Sequence, residues 1–463
     1  ADDRLVFAST RGNVTNPEGF VGYEGPQRTP ADPSKLNSNL YVLEDGKIRQ
    51  LTFLLNQELS PSFMRDGRLI MTAEKRQPGF YQLAGRRMNL DGGDYHPLFG
   101  QRGTVGFNQF TEVVELSDKN LAAIMSERGA AHGAGTLAMI NRSIGIDQRS
   151  TDEADYVQDA AAIKYPNQKF YQHSIRIMDP AATGRVAATQ GAYRSPAPLP
   201  NGDILVSYAS NVVALDNFSG NFDVVIVNAS TGERQPLITG AQDELWPAAI
   251  YPRSSIGIFK SRLDEANGAT QIVNDADHRT AAEVTFIDFN LLSSLLFQNT
   301  RTGRYVPDQV QVVKGIWESL PPVGATSFAD ADQQFVTNDE FGPVYVRRRL
   351  LGSPTLNSDG SLGVRIRGGA PILLEAFTEL NGESLPTAHL QREEMQFYPG
   401  EVVRQGFRKD LFDGMCGGCH GSVSGKEYDI AVNPDILTQA SDVIARKKAP
   451  EDLTGIVNDD VGP

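Results

Sequence analysis

The sequence predicts a mainly β protein whose first part is a β-propeller of about six blades. Short apolar runs of strand length recur along the chain, each is bounded by turn residues, and long amphipathic helical patterns are scarce before residue 400. The 463 residues include 44 glycines and 26 prolines, many in short turn-like clusters. A chain of this length holds about two or three domains.

One unit recurs in the first 300 residues, a polar turn followed by a short apolar strand. It occurs at Asp66-Gly67, Asp118-Lys119 and Asn201-Gly202, and the first copy leads into Leu69–Met71. Glycine and aspartate are the residues that tight turns favour. A dipeptide that ends in proline precedes three copies of the unit: Ser60-Pro61, Ser195-Pro196 and Trp246-Pro247.

Each unit ends in a hairpin, with turns such as Asp45-Gly46 and Thr231-Gly232 that supply positive φ angles. The hairpins recur every roughly 45–50 residues, the length of a four-stranded propeller blade. A pair of β-sandwich domains is the alternative. Residues 141–172 and 260–282 break the period and are predicted to be loops on one rim. The hairpins end near Leu51, Leu98, Ala188 and Leu237.

A second kind of β pattern follows between residues 340 and 400. Leu362–Arg367 alternates apolar and polar residues, as expected of a strand buried on one face only. Turns fall at Ser358-Asp359-Gly360 and Asn381-Gly382. These features predict a small antiparallel β domain.

Both cysteines of the chain fall in Cys416-Gly417-Gly418-Cys419-His420. C-x-x-C-H is the pattern of a c-type haem attachment site, in which Cys416 and Cys419 bond the haem and His420 ligates the iron on the proximal side. A redox disulfide, a zinc site with remote histidine ligands and chance are the alternatives. The pattern predicts one covalent haem c as the cofactor.

The residues around this motif predict short helices. A helix is expected within Val402–Gly414, and Asn433-Pro434 is a typical helix start, with Asn as N-cap and Pro at the first helical position. Three parts of the chain are therefore predicted: a propeller at 1–325, the small antiparallel β domain at 326–400 and a helical monohaem c-type cytochrome segment at 401–463.

The distal ligand of the iron stays open at this point. A methionine ligand raises the reduction potential, a second histidine lowers it, and a tyrosine or an open position indicates ligand chemistry. Arg392, Arg404 and Arg408 are candidates for pairing with haem propionates. The candidate distal ligands near the motif are His389, Met395, Tyr398 and Tyr428.

Charge and hydropathy restrict the partners. The net charge of −14 argues against nucleic acid and anionic membrane surfaces, and no apolar run is long enough for a membrane span. A redox partner protein or a multi-subunit complex is the expected partner. The start Ala1-Asp2-Asp3 is typical of a mature terminus, so with covalent haem we expect a periplasmic or extracellular protein whose signal peptide has been removed.

Parts of the sequence resemble known families. The Ser-Pro and Asp-Gly repeats are similar to those of TolB-like propellers. Ser358–Ser361, Gln396–Glu401 (Gln-Phe-Tyr-Pro-Gly-Glu) and Cys416–His420, in that order, resemble proteins related to the alpha subunit of hydrazine synthase. The resemblance implies a propeller, a small β domain and a haem segment, and it is close in sequence only over about residues 340–425.

The chain departs from that family in two ways. The resemblance implies two haems, whereas this chain has one attachment site. It also implies a tyrosine ligand shortly after the motif, whereas here the first tyrosine, Tyr428, lies eight residues beyond His420. Hydrazine synthesis is therefore not expected.

Three functions remain in competition. The first is electron transfer between redox partners by a monohaem cytochrome that uses its propeller as docking platform. The second is a haem oxidoreductase that acts on a small nitrogen or oxygen compound at an open haem beside the propeller. The third is a haem-bearing structural subunit of a larger complex. The distal ligand distinguishes the first two.

Overall fold

A computed structural model gives the architecture of the chain. It describes residues 3–10, 38–99, 107–141, 156–158, 171–252, 256–259, 261, 270–278, 280–289, 309–320, 332–380, 383–384, 389–390, 394–406, 449–455 and 461–462. These residues are mainly strands and turns, as predicted. The predicted helical segment at 401–463 lies outside them at residues 407–448, and its described residues form the strands Glu401–Gln405, Glu451–Asp452 and Val461–Gly462 rather than helices. The helix expected within Val402–Gly414 is therefore replaced by a strand up to Gln405.

The first sixteen strands form four antiparallel sheets that follow one another along the chain. A 3-10 helix at Ala131–Gly133 precedes β10. Sheet 1 contains β1 (Leu5–Ser9), β2 (Asn39–Glu44) and β3 (Lys47–Gln50). Sheet 2 contains β4 (Glu58–Phe63), β5 (Leu69–Gln77), β6 (Phe80–Met88) and β7 (His96–Phe99). Sheet 3 contains β8 (Gln109–Glu115), β9 (Leu121–Ser126), β10 (Thr136–Ile140), β11 (Tyr156–Gln158) and β12 (Tyr171–Ile177). Sheet 4 contains β13 (Ala192–Pro198), β14 (Ile204–Ala209), β15 (Asp223–Val227) and β16 (Arg234–Ile238).

The first strands of sheets 2, 3 and 4 carry the same backbone irregularity. Ser60, Glu112 and Ser195 have φ angles of 51°, 51° and 54°, and the pairing register shifts beside each of them. Such β-bulges fix the register of a strand. Trp246 has a φ of 51° as well. The Ser-Pro and Trp-Pro pairs of the sequence thus mark one recurring backbone feature.

The polar turns also have the same hydrogen bond in each copy. Asp66, Asp118 and Asn201 each accept a hydrogen bond from the backbone N–H two residues later, at 3.1, 3.0 and 3.1 Å. These Asx turns join the first two strands of sheets 2, 3 and 4. Asp359 makes the same bond, at 3.1 Å, to Ser361.

The cores of this region lie between successive sheets, because the middle strands are buried on both faces. In β9, Leu121, Ala123 and Met125 pack towards sheet 2, whereas Ala122 and Ile124 pack towards sheet 4. All six residues of β9 are buried. Burial on both faces explains why this strand is continuously apolar rather than alternating. Another core cluster fills the space between sheets 1 and 2.

The later strands form two further sheets and a hairpin. Sheet 5 contains β17 (Thr270–Ile272), β18 (Ala281–Phe286), β23 (Leu362–Arg367), β27 (Glu401–Gln405) and β28 (Glu451–Asp452). Sheet 6 contains β19 (Gln309–Ser319), β22 (Arg348–Gly352), β24 (Ile372–Leu380), β25 (Glu383–Ser384), β26 (His389–Leu390) and β29 (Val461–Gly462). The hairpin contains β20 (Val336–Asp339) and β21 (Gly342–Tyr345), and a 3-10 helix at Gln333–Phe335 precedes it.

These later sheets are assembled from distant parts of the chain. Strand β18 pairs with β23 and β27, and β19 pairs with β22 and β24, so the pairing crosses the predicted boundaries at 325 and 400. A core that includes Val284, Val364 and Leu374 lies between the two sheets. The predicted loop at 260–282 contains β17, a strand of three residues that is too short to show a periodicity.

Candidate functional site at the mounting of the C-x-x-C-H segment

The predicted haem residues lie in a segment that the structure leaves undescribed. Cys416, Cys419, His420 and Tyr428 all fall within residues 407–448. The structure describes what precedes and follows this segment. The candidate functional site therefore consists of the two strands that flank the segment, called the anchor strands, and of the contacts that join their sheet to sheets 1 to 4, called the repeated sheets.

Both ends of the segment belong to sheet 5. Strand β27 ends at Gln405 and β28 begins at Glu451, and the order across the sheet is β17-β27-β18-β23-β28. The two anchor strands are thus three strand spacings apart, about 14 Å. Gln405 is level with Phe286 at the end of β18, and Phe286 faces Leu362 at the start of β23.

The return point lies at the same end of the sheet. Glu451 pairs with Val364 in β23, and Pro450 lies beside Gly363, where an added Cβ would be 3.6 Å from the proline Cα. The described residues on either side of 407–448 therefore lie at the same end of one packed sheet.

The stretch that precedes β27 joins sheet 5 to sheets 1 and 2. Gln396 is 1% exposed, and its side chain accepts a hydrogen bond from Phe53 N (2.7 Å) and donates one to Leu51 O (3.1 Å). One amide group therefore satisfies a backbone donor and a backbone acceptor just beyond β3, as a neighbouring strand would. Asn56 donates to Glu394 beside it, at 3.4 Å.

Tyr398 fills the space next to this amide. Its ring packs against Phe53, with 6.0 Å between ring centroids, and Arg49 Nη1 donates to its hydroxyl at 3.3 Å. Gly92 lies against the ring, because a Cβ there would come within 2.2 Å of Tyr398 Cδ2. Its φ of 109° also requires glycine. The turn after β6 is thus shaped to receive the tyrosine.

Glu401, the first residue of β27, completes the contact. Its carboxylate accepts hydrogen bonds from Asp94 N (2.9 Å), Thr270 Oγ1 (2.8 Å) and Tyr398 N (2.7 Å). Burial raises the pKa of Glu401 to about 7, although these donors act in the opposite direction. A buried carboxyl therefore links the turn after β6 to the anchor strand.

A second buried carboxyl lies on the other side of the same turn. Tyr95, next to Asp94, donates to Glu58 Oε1 at 2.9 Å, and Asn39 donates to Glu58 Oε2 at 3.1 Å. Burial raises the pKa of Glu58 to about 7 as well. Burial therefore raises the pKa of one carboxyl in the contact with the anchor strand, Glu401, and of one within the adjoining sheets 1 and 2, Glu58.

The hairpin β20–β21 makes a second contact with the repeated sheets. Arg76 in β5, with a side chain 1% exposed, forms two hydrogen bonds to the Asp339 carboxylate, at 2.8 and 2.5 Å. Gly79 N donates to the same carboxylate at 2.6 Å. Burial alone would raise the pKa of Asp339, but these donors hold it below its usual range. Phe341 stacks on Tyr81, with 5.9 Å between centroids.

The structure places several predicted ligands of the iron on this frame. Met395 is partly buried and packs against the core between sheets 5 and 6, and its backbone pairs with Ile372. The backbone of His389 pairs with Ala376. Tyr398 is engaged in the contact with sheets 1 and 2, and Arg404 lies in β27. Each of these positions as a haem contact stays a prediction.

Sequence reasoning missed most of this contact. Gln396, Tyr398 and Glu401 belong to the Gln-Phe-Tyr-Pro-Gly-Glu stretch, which the resemblance drew attention to only as a lead into the haem segment. Their partners, Phe53, Arg49 and Asp94, carried no signal at all. An isolated polar residue beside a turn gives no indication that it will be buried against a distant strand.

Two features are absent from the described residues, a metal-binding cluster and a membrane-spanning helix. Among those residues, no cluster of three or more His, Cys, Asp or Glu side chains is arranged to hold a metal ion. Within the same ranges, no helix combines the length and hydrophobicity needed to cross a membrane.

Comparison with known proteins finds a distant similarity of fold. No protein-family model matches the chain, and no curated protein matches it. Among solved structures it is similar to Kuenenia stuttgartiensis hydrazine synthase, with a TM-score of 0.55 and 16% sequence identity. The match covers 88% of this chain and 55% of that chain, so this chain spans about half the length of the other. At this identity the similarity is a distant one of fold.

Proposed function

We propose that the chain is a periplasmic monohaem c-type cytochrome that transfers electrons between redox partners and uses a β-propeller as docking platform. The observation that carries the proposal is that the strands on both sides of the C-x-x-C-H segment belong to one sheet, sheet 5. The described residues on either side of 407–448 lie at the same end of that sheet, and Gln396, Tyr398 and Glu401 fix it to sheets 1 and 2. A rigid frame is what a redox site needs in order to keep its orientation to a partner.

In this proposal three residues hold the haem. Cys416 and Cys419 form its covalent bonds and His420 is the proximal ligand. A bound haem would supply a single-electron centre whose potential depends on the second ligand. The chain itself supplies the frame and a net charge of −14, which favours a basic partner protein through long-range attraction.

The propeller is also part of the proposal. Four successive sheets pack face to face, and sheets 2, 3 and 4 repeat one bulge and one Asx turn. The bulge-like conformation of Trp246 and the Asx turn at Asp359 support further copies of the unit beyond sheet 4. A ring of about six blades accounts for these repeats.

A haem oxidoreductase is the second candidate, with one specific observation in its favour. Met395 and Tyr398, two of the predicted distal ligands, are engaged in packing contacts. That leaves His389, Tyr428 or an open position, and an open position allows a small nitrogen or oxygen compound to reach the iron. The similarity to hydrazine synthase over about half of its chain is compatible with this function and with a subunit of a larger complex.

An absorption spectrum tests the proposal. The full chain, produced with a haem attachment system, is measured oxidised and dithionite-reduced, with and without carbon monoxide. The Cys416→Ala, Cys419→Ala double variant is the control. We expect a Soret band in the wild type that carbon monoxide leaves unchanged and that the control lacks. A band shifted by carbon monoxide would favour the oxidoreductase, and no band at all would overturn both.

A further inference from the structure

A small cavity lies between sheets 5 and 6. Its volume is about 280 Å³. Leu351 and Glu318 are buried at its base, whereas Thr280 and Thr454 are exposed at its mouth. The lining residues are Thr280, Glu318, Arg349, Leu351, Arg367 and Thr454.

The charged groups of this lining come from both sheets and share one carboxylate. Glu318, in β19, is 1% exposed and accepts a hydrogen bond from Arg349 Nη2 at 2.6 Å. Arg367 Nη1, from β23 in the other sheet, lies 3.6 Å from the second oxygen of Glu318. Two guanidinium groups face one carboxylate, so the lining carries one unit of positive charge in excess.

The donors of these arginines exceed what Glu318 can use. Each guanidinium has five N–H donors in a planar fork that matches an oxyanion. The Nε atom of Arg349 is buried and has no hydrogen-bond partner among the described residues. The hydroxyl of Thr454, at the mouth of the cavity, donates to Asp452 at 2.6 Å. Unused buried donors are costly unless an acceptor joins them.

We propose that this cavity binds a small monovalent oxyanion, with a carboxylate as the best fit. The single excess positive charge matches one negative charge, and Arg349 and Arg367 supply donors from two directions. The volume lies just below the roughly 300–1,000 Å³ of sites for drug-sized ligands, so the cavity suits a small ligand. Leu351 offers an apolar surface for a short carbon chain.

The carboxylate has two sources that share this chemistry. Thr454 follows β28, the strand at which the chain returns to sheet 5 after residues 407–448, which contain the C-x-x-C-H motif. A propionate of a covalent haem is therefore one source, which rests on the proposed function. A free small carboxylate is the other and does not depend on it.

Titration calorimetry of acetate into the full chain, at constant ionic strength maintained with chloride, tests the site. Arg367 is half-exposed, so Arg367→Gln is expected to leave the fold intact, which circular dichroism checks. The matched control is Arg365→Gln, two residues earlier in β23 and outside the lining. We expect Arg367→Gln to weaken acetate binding by about tenfold or more, and Arg365→Gln to leave it unchanged.

The Cys416→Ala, Cys419→Ala double variant distinguishes the sources. Acetate binding by both this variant and the wild type would identify a free carboxylate as the ligand. Binding by the double variant alone would show that a carboxylate of the attached group fills the cavity. The proposal is overturned if neither protein binds acetate saturably, or if Arg365→Gln weakens binding as much as Arg367→Gln. The outcomes that overturn the proposal are independent of the Soret band that tests the proposed function.

Discussion

Sheets 1 to 4 and sheets 5 and 6 both contain buried cores, but they differ in how far apart in the sequence their paired strands lie. Sheets 1 to 4 are each formed by consecutive or nearly consecutive strands, and their cores lie between one sheet and the next. Sheets 5 and 6 combine strands from distant parts of the chain. The difference teaches that the two regions depend on different contacts. Local turns and bulges define the first, whereas long-range pairing and a few buried polar contacts define the second.

The ion pair of Arg76 and Asp339 is the contact between the two regions whose loss should cost most. Asp339→Ala leaves a guanidinium that is 1% exposed without its carboxylate, and removing one partner of a buried pair costs about 3–5 kcal/mol. Urea denaturation should show that the free energy of unfolding decreases by an amount near the lower end of that range. The loss is limited because backbone carbonyls also bind Arg76. Glu340→Ala, at the exposed neighbouring position, is the control. Equal effects of the two variants would contradict a specific contact.

The second test concerns Gln396, because its side-chain amide bonds two backbone groups that a neighbouring strand would otherwise bond. Gln396→Ala leaves Phe53 N and Leu51 O without this partner, and each unsatisfied buried group costs about 1–3 kcal/mol. We expect a loss of about 2–3 kcal/mol and faster proteolytic cleavage near the contact. Gln334→Ala, at an exposed position, should change the stability by less than about 0.5 kcal/mol. A stability unchanged by Gln396→Ala would show that this contact is not needed.

The buried carboxyls predict how the same contact responds to pH. Glu401 has a pKa of about 7 in the folded chain against an ordinary value of 4.5, so the folded chain binds more protons between these values. The free energy of unfolding therefore falls as pH rises from about 4.5 to 7, by up to about 3 kcal/mol for this group.

Glu401→Gln should flatten this dependence. The variant is expected to lose less stability than the wild type between pH 5 and pH 8 in parallel denaturation curves. Glu451→Gln, at an exposed position of β28, serves as control and should leave the slope as it is. The interpretation fails if the wild type becomes more stable relative to Glu401→Gln as the pH rises.

The smallest effect is expected from removing the C-x-x-C-H segment. Because β27 and β28 meet the same end of sheet 5, about 14 Å apart, a flexible linker of about eight residues can replace residues 407–448. We expect cooperative unfolding with a free energy within about 1 kcal/mol of the wild type, and no Soret band. Loss of cooperative unfolding would mean that the frame depends on the segment.

The comparison also separates what the sequence predicts from what it does not. The turns at Asp66, Asp118 and Asn201 were predictable because every contact they need lies within a few residues. The alternation in Leu362–Arg367 predicts one buried face, and the structure has that pattern of burial. The bulge at Glu112 was not predictable, since no proline follows it.

In the candidate site, by contrast, most of the contacts could not be predicted from the sequence. The C-x-x-C-H pattern is local and predicts its chemistry from five residues, but its surroundings depend on pairings between β18, β23 and β27 that no local pattern reveals. The buried acid at Glu401 and the arginines that share Glu318 have the same origin. They are polar residues placed together only after the sheets have formed.

The order of strands in sheet 5 has a consequence for how the chain folds. The strands of sheets 1 to 4 pair with strands close to them in sequence, so this pairing can form before the later strands have been synthesised. Strands β17 and β18 have no complete sheet until β23 and β27 follow, and closing such long loops costs entropy before any pairing repays it. We therefore expect refolding in at least two kinetic phases. The anchor points at Gln405 and Glu451 become fixed in the slower one, after nearly the whole chain is present.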